Sequence, residues 1–338
     1  MDSEERMIKM AYIAGALDGD GSFCLGKSYQ VQAPSPQYRP IIRLSSSKKE
    51  MVEFLKEEFG GNIIYRKPYT SKDGIVRKEN WSWAVYGLTR CPSIIEEVLP
   101  YLHVRKERAE FLLDYIKNNP FKRGSAKLSF DILQNREDAY LKMKRFNEKP
   151  FQGKISNIKR KNSESKLFWS YLAGLLDTDG SFSVGKHHLK SRVSPTYSQY
   201  ISLSMIDTRG LNYILENCAF GFIKLYKATT TVNGFCYRWA LHARDEVIFV
   251  LENVLPYLRT KKGNAEILLD FCKNKRNVKA CRNGIPQEEL DFRENCYKAL
   301  KKFNYGISKP TLIDSEFQKM DNEGEGESHA ERLNELAP

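Results

Sequence analysis

The string ALDGDGSF (16–23) returns as LLDTDGSF (175–182). Each copy sets two aspartates two residues apart, Asp18 and Asp20, then Asp177 and Asp179, between an apolar run and a glycine. Carboxylates so placed bind hard cations or satisfy the backbone amides of a turn. A calcium loop of the EF-hand type is excluded. With Gly21 at its sixth position, its ends would be Ala16 and Lys27, and in the copy Leu175 and Lys186, where acids are required. Asp18 and Asp177 fall within the end of a run with helical spacing and read as turn formers. Asp20 and Asp179 read as the functional pair. If the two copies pack together, these carboxylates become neighbours at a pseudo-twofold centre. Alone they repel each other. A divalent cation relieves that repulsion, and magnesium suits carboxylate plus phosphate oxygens. The chemistry available to such a centre is polarisation of a phosphate, activation of water and stabilisation of a leaving oxygen.

The elements that must position these acids are themselves repeated. AYIAGALDGDGSFCLGK (11–27) aligns with SYLAGLLDTDGSFSVGK (170–186), WSWAV (81–85) with YRWAL (237–241), and VLPYL (98–102) with VLPYL (254–258). AEFLLDY (109–115) and REDAYLKMKRFN (136–147) find their counterparts in order as AEILLDF (265–271) and RENCYKALKKFN (293–304). One unit is therefore written twice. Apolar spacing predicts a helix over 4–18, ending at Gly19 and Gly21 with Asp20 just beyond it. Its small residues Ala11, Ala14 and Gly15, like Ala173 and Gly174 in the copy, permit close approach of two helices. A helical glycine costs about 1 kcal/mol against alanine, so its use twice points to packing. Strands are predicted over 22–32, 38–47, 62–69 and 76–87, and helices over 49–59, 91–100, 104–118 and 131–147. The class is α+β with antiparallel sheets and centrally packed motif helices. The expected organisation is an N-terminal unit (1–150), a polar, basic linker (151–166), a C-terminal unit (167–313) and a disordered acidic tail (314–338).

The formal net charge is +12 over 338 residues. The tail holds eight acidic residues against Lys319 and Arg332, so the rest is more basic still. Such a body points to a polyanionic partner, nucleic acid first and an anionic membrane surface second. Seven scattered cysteines without a C-x-x-C pair argue against structural zinc and suit a reducing, intracellular compartment. No apolar run is long enough to span a membrane, and the acidic start is a poor secretory signal. A basic chain with paired central carboxylates describes a metal-dependent phosphodiesterase.

IAGALDGDG (13–21) and LAGLLDTDG (172–180) resemble the signature of the LAGLIDADG homing endonucleases in their single-chain, two-motif form. The resemblance covers the chain to about residue 310 and implies two fused αββαββα repeats whose sheets form a saddle over DNA. It implies hydrolytic, site-specific double-strand cleavage of a long, nearly palindromic target by a freestanding, intron-encoded monomer. The second acid of each motif, Asp20 and Asp179, would hold the metal, with Gly19 and Thr178 beside them. Magnesium is the expected ion, with manganese or calcium able to substitute for binding. The family often carries a lysine after the L-P-x-L segment. Lys261 fits it best in the second unit, and Arg105 or Lys106 in the first. A polar residue that orders water falls near Ser47 or Lys48, and near Asp207.

Strand alternation puts Phe23 and Leu25 inward and leaves Ser22, Cys24, Gly26, Ser28 and Gln30 on the opposite face, with Arg43 and Ser45 beside them. The matching face of the copy is Ser181, Ser183, His187, Tyr200, Ser202 and Ser204. Tyr65, Lys67, Lys224, Tyr226 and Arg238 come from the second hairpins. A two-stranded ribbon fits the major groove, where such side chains read base edges. The two faces differ in sequence, so the half-sites are expected to differ. Trp81, Trp83 and Trp239 read as core, and His187-His188 as an exposed hairpin without metal. The rival is a binding protein on the same fold, either an intron-RNA splicing factor or a non-cleaving DNA binder. Retention of both central acids favours cleavage.

Overall fold

The computed structural model describes residues 2–29, 35–71, 76–119, 128–148, 153, 155, 160–190, 192–227, 235–277 and 284–305. The first repeat runs α1 (Ser3–Asp20), β1 (Gly21–Ser28), β2 (Gln37–Ser46), α2 (Lys49–Phe59) and β3 (Asn62–Arg66). A short ribbon, β4 (Tyr69–Thr70) with β5 (Val76–Arg77), precedes β6 (Asn80–Tyr86), α3 (Arg90–Val98), a 3-10 turn, α4 (Lys106–Asn118) and α5 (Phe130–Glu148). The second repeat follows the same order: α6 (Lys166–Asp179), β7 (Gly180–His187), β8 (Thr196–Met205), α7 (Thr208–Asn217), β9 (Phe222–Lys227) and β10 (Phe235–Leu241), then α8 (Arg244–Val254), α9 (Lys262–Asn274) and α10 (Gln287–Tyr305). The sheets have strand orders β1-β2-β6-β3 and β7-β8-β10-β9. The α+β class and the antiparallel hairpins therefore stand as expected. The 314–338 stretch, Gln30 and much of the 151–166 linker lie outside the described residues.

Contacts group the chain into two compact units. The first comprises Met1–Ser181, Ser202–Leu241 and Phe249–Gly263. Within it, α1 packs along α6. A Cβ at Gly15 would collide with the Tyr171 carbonyl oxygen, and one at Gly174 with that of Tyr12. This backbone approach is what the two costly glycines achieve. Behind the first sheet, Phe23, Ile42, Leu44 and Trp83 are fully buried with Met51, Val52 and Leu55 of α2. Burying each large apolar side chain contributes roughly 1.5–3 kcal/mol. Trp83 and Trp239 are both buried, and their indole N–H groups donate to the Gly60 and Phe220 carbonyls at 2.7 and 3.2 Å. Trp81 is half-buried and packs 5.2 Å from the Tyr65 ring.

The second unit comprises Phe182–Ile201, His242–Ile248 and the chain from Asn264 on. Phe182 and Val184 of β7 are buried, and Phe271 of α9 stacks on Phe292 of α10. Glu294 of α10 accepts from Lys186 and from the Tyr197 hydroxyl, tying this helix to β7 and β8. Glu137 of α5 receives Lys27 and Tyr38 in the same way inside the first unit.

Candidate active site

Both motif helices run through the second acid. α1 ends at Asp20 and α6 at Asp179, so each sits in the last helical turn, not beyond it. The helix can extend this far because the following glycine turns sharply against it. A Cβ at Gly21 would collide with the Leu17 carbonyl, and one at Gly180 would lie 2.6 Å from that of Leu176. The two helix ends meet: a Cβ at Gly19 would lie 3.2 Å from Asp179 Oδ2. Both carboxylates keep exposed surface, yet lie against enough protein to be partly desolvated. Burial raises the Asp20 pKa, against the pull of Lys261 and Arg105. Asp179 is pushed up to about 6 by burial and then by the Asp20 charge, again against Lys261 and Arg105.

The first acids do different work. Asp18, fully buried, accepts from the backbone N–H groups of His103, Val104 and Arg105 at 2.7, 3.0 and 2.7 Å. Asp177 accepts from those of Arg259, Thr260 and Lys261 at 2.7, 3.2 and 2.8 Å. Each carboxylate thus holds the three residues that lead into α4 or α9, through N–H groups that lie just before the helix. The expected role in satisfying amides is what these geometries display, though across the fold and not in a local turn. Each acid also takes a fourth hydrogen bond from a tyrosine of the other repeat, Tyr171 to Asp18 at 2.8 Å and Tyr12 to Asp177 at 2.7 Å. Burial and the adjacent acid raise both phenol pKa values, so both remain donors.

The capped segments return a cation to the motif helix. Lys261 Nζ donates to the carbonyls of Leu176, Thr178 and Gly180 at 2.9, 2.9 and 2.7 Å, which uses all three of its protons. Arg105 donates through Nε to Leu17 O at 2.7 Å and through its guanidinium to Gly19 O. These are carbonyls at a helix C-terminus, where a cation is favoured by the dipole. Burial lowers the Lys261 pKa, opposed by Asp177, Asp179 and Asp20. Lys106 begins α4 and is exposed, so Arg105 is the structural counterpart of Lys261. The carbonyls of Gly19 and Thr178 each accept from one of these cations, which occupies one of their two lone pairs. Among the described residues, no three His, Cys, Asp or Glu side chains cluster as a metal site. The pair Asp20 and Asp179 still fits a hard divalent cation, because both offer carboxylate oxygens and their mutual repulsion is unrelieved by any bridging donor in the contacts described.

The first sheet keeps Ser22, Cys24 and Gly26 half-buried and Ser28 exposed, opposite to Phe23 and Leu25. Register sets Ser22 across from Arg43, and Ser45 across from Ser82, whose hydroxyls lie 2.6 Å apart. Tyr65 departs from the expectation. It pairs with Trp81, and Ile63 with Trp83, so Tyr65 lies on the Trp83 side of β3. The adjacent isoleucines of NIIYR conceal the strand's parity. Arg66, across from Asn80, takes the face of Ser45, and Arg39, across from Gly26, joins it. Both were missed, although Arg39 shares Arg43's alternation. Lys67 is exposed past the end of β3.

In the second repeat's share of the first unit, Ser181, Ser202 and Ser204 are half-buried. Lys224 pairs with Arg238, whose guanidinium lies 4.3 Å from the Tyr226 ring and whose Nε donates to Ser204 Oγ at 3.2 Å. These four side chains lie together. In the second unit Ser183 is half-buried, but His187 and Tyr200 are not open to a groove. Tyr200 is buried edge-on to His242 at 4.6 Å, with its hydroxyl 3.4 Å from His187 Nε2. Gly185 leaves the room that lets these rings fold down over the strand.

This arrangement is the fold of the LAGLIDADG homing endonucleases in their single-chain, two-motif form. The chain is similar to the I-SmaMI LAGLIDADG homing endonuclease bound to cleaved DNA, with a TM-score of 0.62, 16% identity, and coverage of 88% of this chain and 98% of that one. It is likewise similar to I-LtrWI bound to target DNA (TM-score 0.58, 15% identity, 90% and 99% covered) and to I-GzeII in complex with a DNA target (0.56, 15%, 85% and 97%). No family model matches the sequence, and no curated protein matches it either. No helix among the described residues is long and apolar enough to cross a membrane.

Proposed function

We propose that this chain is a site-specific double-strand DNA endonuclease that hydrolyses phosphodiesters with a divalent cation, magnesium by preference, at a long asymmetric target. The observation that carries the reading is the meeting of Asp20 and Asp179 at the joined ends of α1 and α6, each with a half-buried cation, Arg105 or Lys261, on its own helix end. Asp20 and Asp179 would hold the cation, which when bound supplies positive charge to the reacting phosphate and to the leaving oxygen. Arg105 and Lys261 hold the helix ends in place and offset the charge that builds near them. The polar sheet faces supply contacts to bases and phosphates. The repeats 1–150 and 167–313 would each address one half-site, and their unlike faces make the halves unlike in sequence. The structures this fold resembles were determined with DNA bound, which supports the same partner here.

The test is a cleavage selection on a randomised duplex library with magnesium, run beside Asp20→Asn and Asp179→Asn. Recovery of one cut sequence by the wild type, with binding kept and cutting lost in both variants, is the expected result. Tight binding without cutting, unchanged by either substitution, would overturn it and direct attention to binding of RNA.

A further inference from the structure

Asp18 and Asp177 are wired alike down to the atom. In both, Oδ1 takes the backbone N–H of the cation-bearing residue, Arg105 or Lys261. In both, Oδ2 takes the two preceding N–H groups and the tyrosine hydroxyl from the opposite motif helix. A carboxylate rotates easily about its last torsion, so a donor that pins Oδ2 also aims Oδ1. The same tyrosines touch the capped segment a second time. The His103 ring meets Tyr171 edge-on at 4.9 Å, and the Arg259 guanidinium lies 5.4 Å from the Tyr12 ring. Neither hydroxyl is needed to fill the α1–α6 interface, since a phenylalanine would fill the same volume. Its chemical purpose is the hydrogen bond.

We infer that Tyr12 and Tyr171 are crossed positioning residues: Tyr12, from the first motif helix, sets Lys261 through Asp177, and Tyr171, from the second, sets Arg105 through Asp18. Each half of the catalytic centre is therefore assembled by the other half. The consequence for activity rests on the nuclease reading above, whereas the consequence for Lys261 does not.

Two measurements on the full chain test it. The first follows each labelled strand of the cognate duplex separately for the wild type, Tyr12→Phe, Tyr171→Phe and the reference variant Lys261→Met. Tyr12→Phe should slow, by about tenfold, the strand that Lys261→Met slows, and Tyr171→Phe the other, because loss of one charge-assisted hydrogen bond is worth about that factor. Target binding should change less than twofold. The second is the rate of acetylation of Lys261, read by peptide mass spectrometry. It should rise severalfold in Tyr12→Phe and stay at the wild-type value in Tyr171→Phe. Equal slowing of both strands, or unchanged Lys261 labelling in a folded Tyr12→Phe protein, would overturn the inference. If the wild type cuts no duplex, the nuclease reading fails and the labelling alone decides this one. If Tyr12→Phe does not fold, Asp177→Asn, which breaks the same link from its other end, is labelled in its place with the same two outcomes.

Discussion

The two halves of the centre at the joined ends of α1 and α6 share one set of connections and differ in the side chains that complete it. Asp18 and Asp177 make the same four hydrogen bonds. The cation returned to the helix end is Arg105 in one half and Lys261 in the other. The first residue of the capped segment is His103, stacked 3.4 Å from the Tyr213 ring, in one half, and Arg259, 3.7 Å from Phe54, in the other. Anionic anchors thus tolerate no change between the copies, while the cations they place have diverged. The reason is geometric. A buried carboxylate that must satisfy three consecutive N–H groups has no substitute of equal shape and charge, whereas the helix-end carbonyls are met by a lysine in one half and an arginine in the other, each with its own geometry.

The largest effect should come from the outer acids. Asp20→Asn and Asp179→Asn should each lower the cutting rate at least about 10²–10³-fold, as losses of directed electrostatic stabilisation do. A strand-resolved assay showing one variant much milder than the other would break the equivalence of the halves. Next come the inner acids. Asp18→Ala and Asp177→Ala each leave buried donors unpaired and should cost about 3–5 kcal/mol, the range for breaking a buried charge network. Chemical denaturation should give nearly equal losses, and a difference above about 2 kcal/mol would mean that one anchor is dispensable.

Exchanging the cations sharpens the comparison. Lys261 spends all three protons on carbonyls, a geometry the flat guanidinium fork cannot reproduce, so Lys261→Arg should slow one strand by about tenfold. Arg105→Lys should slow the opposite strand, by a similar or smaller factor. The smallest effect concerns acidity. Burial, helped by Lys106, lowers the His103 pKa from 6.5 to about 4. The unfolded chain then binds more protons between these values, so this group's contribution to stability is fully present above about pH 6.5 and is lost as pH falls toward 4. Asp18, Tyr171 and Tyr213 are the other titratable groups facing that ring. His103→Arg should flatten this part of the stability profile, measured as the thermal midpoint between pH 4 and 7, because the paired position already carries a permanent charge in Arg259.

The repeat carried most of what was legible. Two copies of one motif located the outer acids, the antiparallel order of elements and the glycine contacts, because duplication preserves spacing and spacing sets faces. Alternation worked on β1, where apolar and polar residues strictly interchange, and failed on β3, where two isoleucines are adjacent. It also failed for Tyr200 and His187, whose parity was right but whose rings lie down on one another. Alternation reports which side a residue takes, not whether a neighbour covers it.

By itself the sequence determined that the centre is double, that each half supplies one outer acid, and that small residues line the helices bearing them. These follow from local periodicity and repetition, which need no knowledge of distant contacts. Only the tertiary structure decided that Arg105, not Lys106, returns to the helix end, that the inner acids anchor segments more than eighty residues away in sequence, and that Tyr12 and Tyr171 cross between the repeats. Those choices depend on which groups meet when two backbones approach at Gly15 and Gly174, and such proximity is a property of packing that no spacing along the chain encodes.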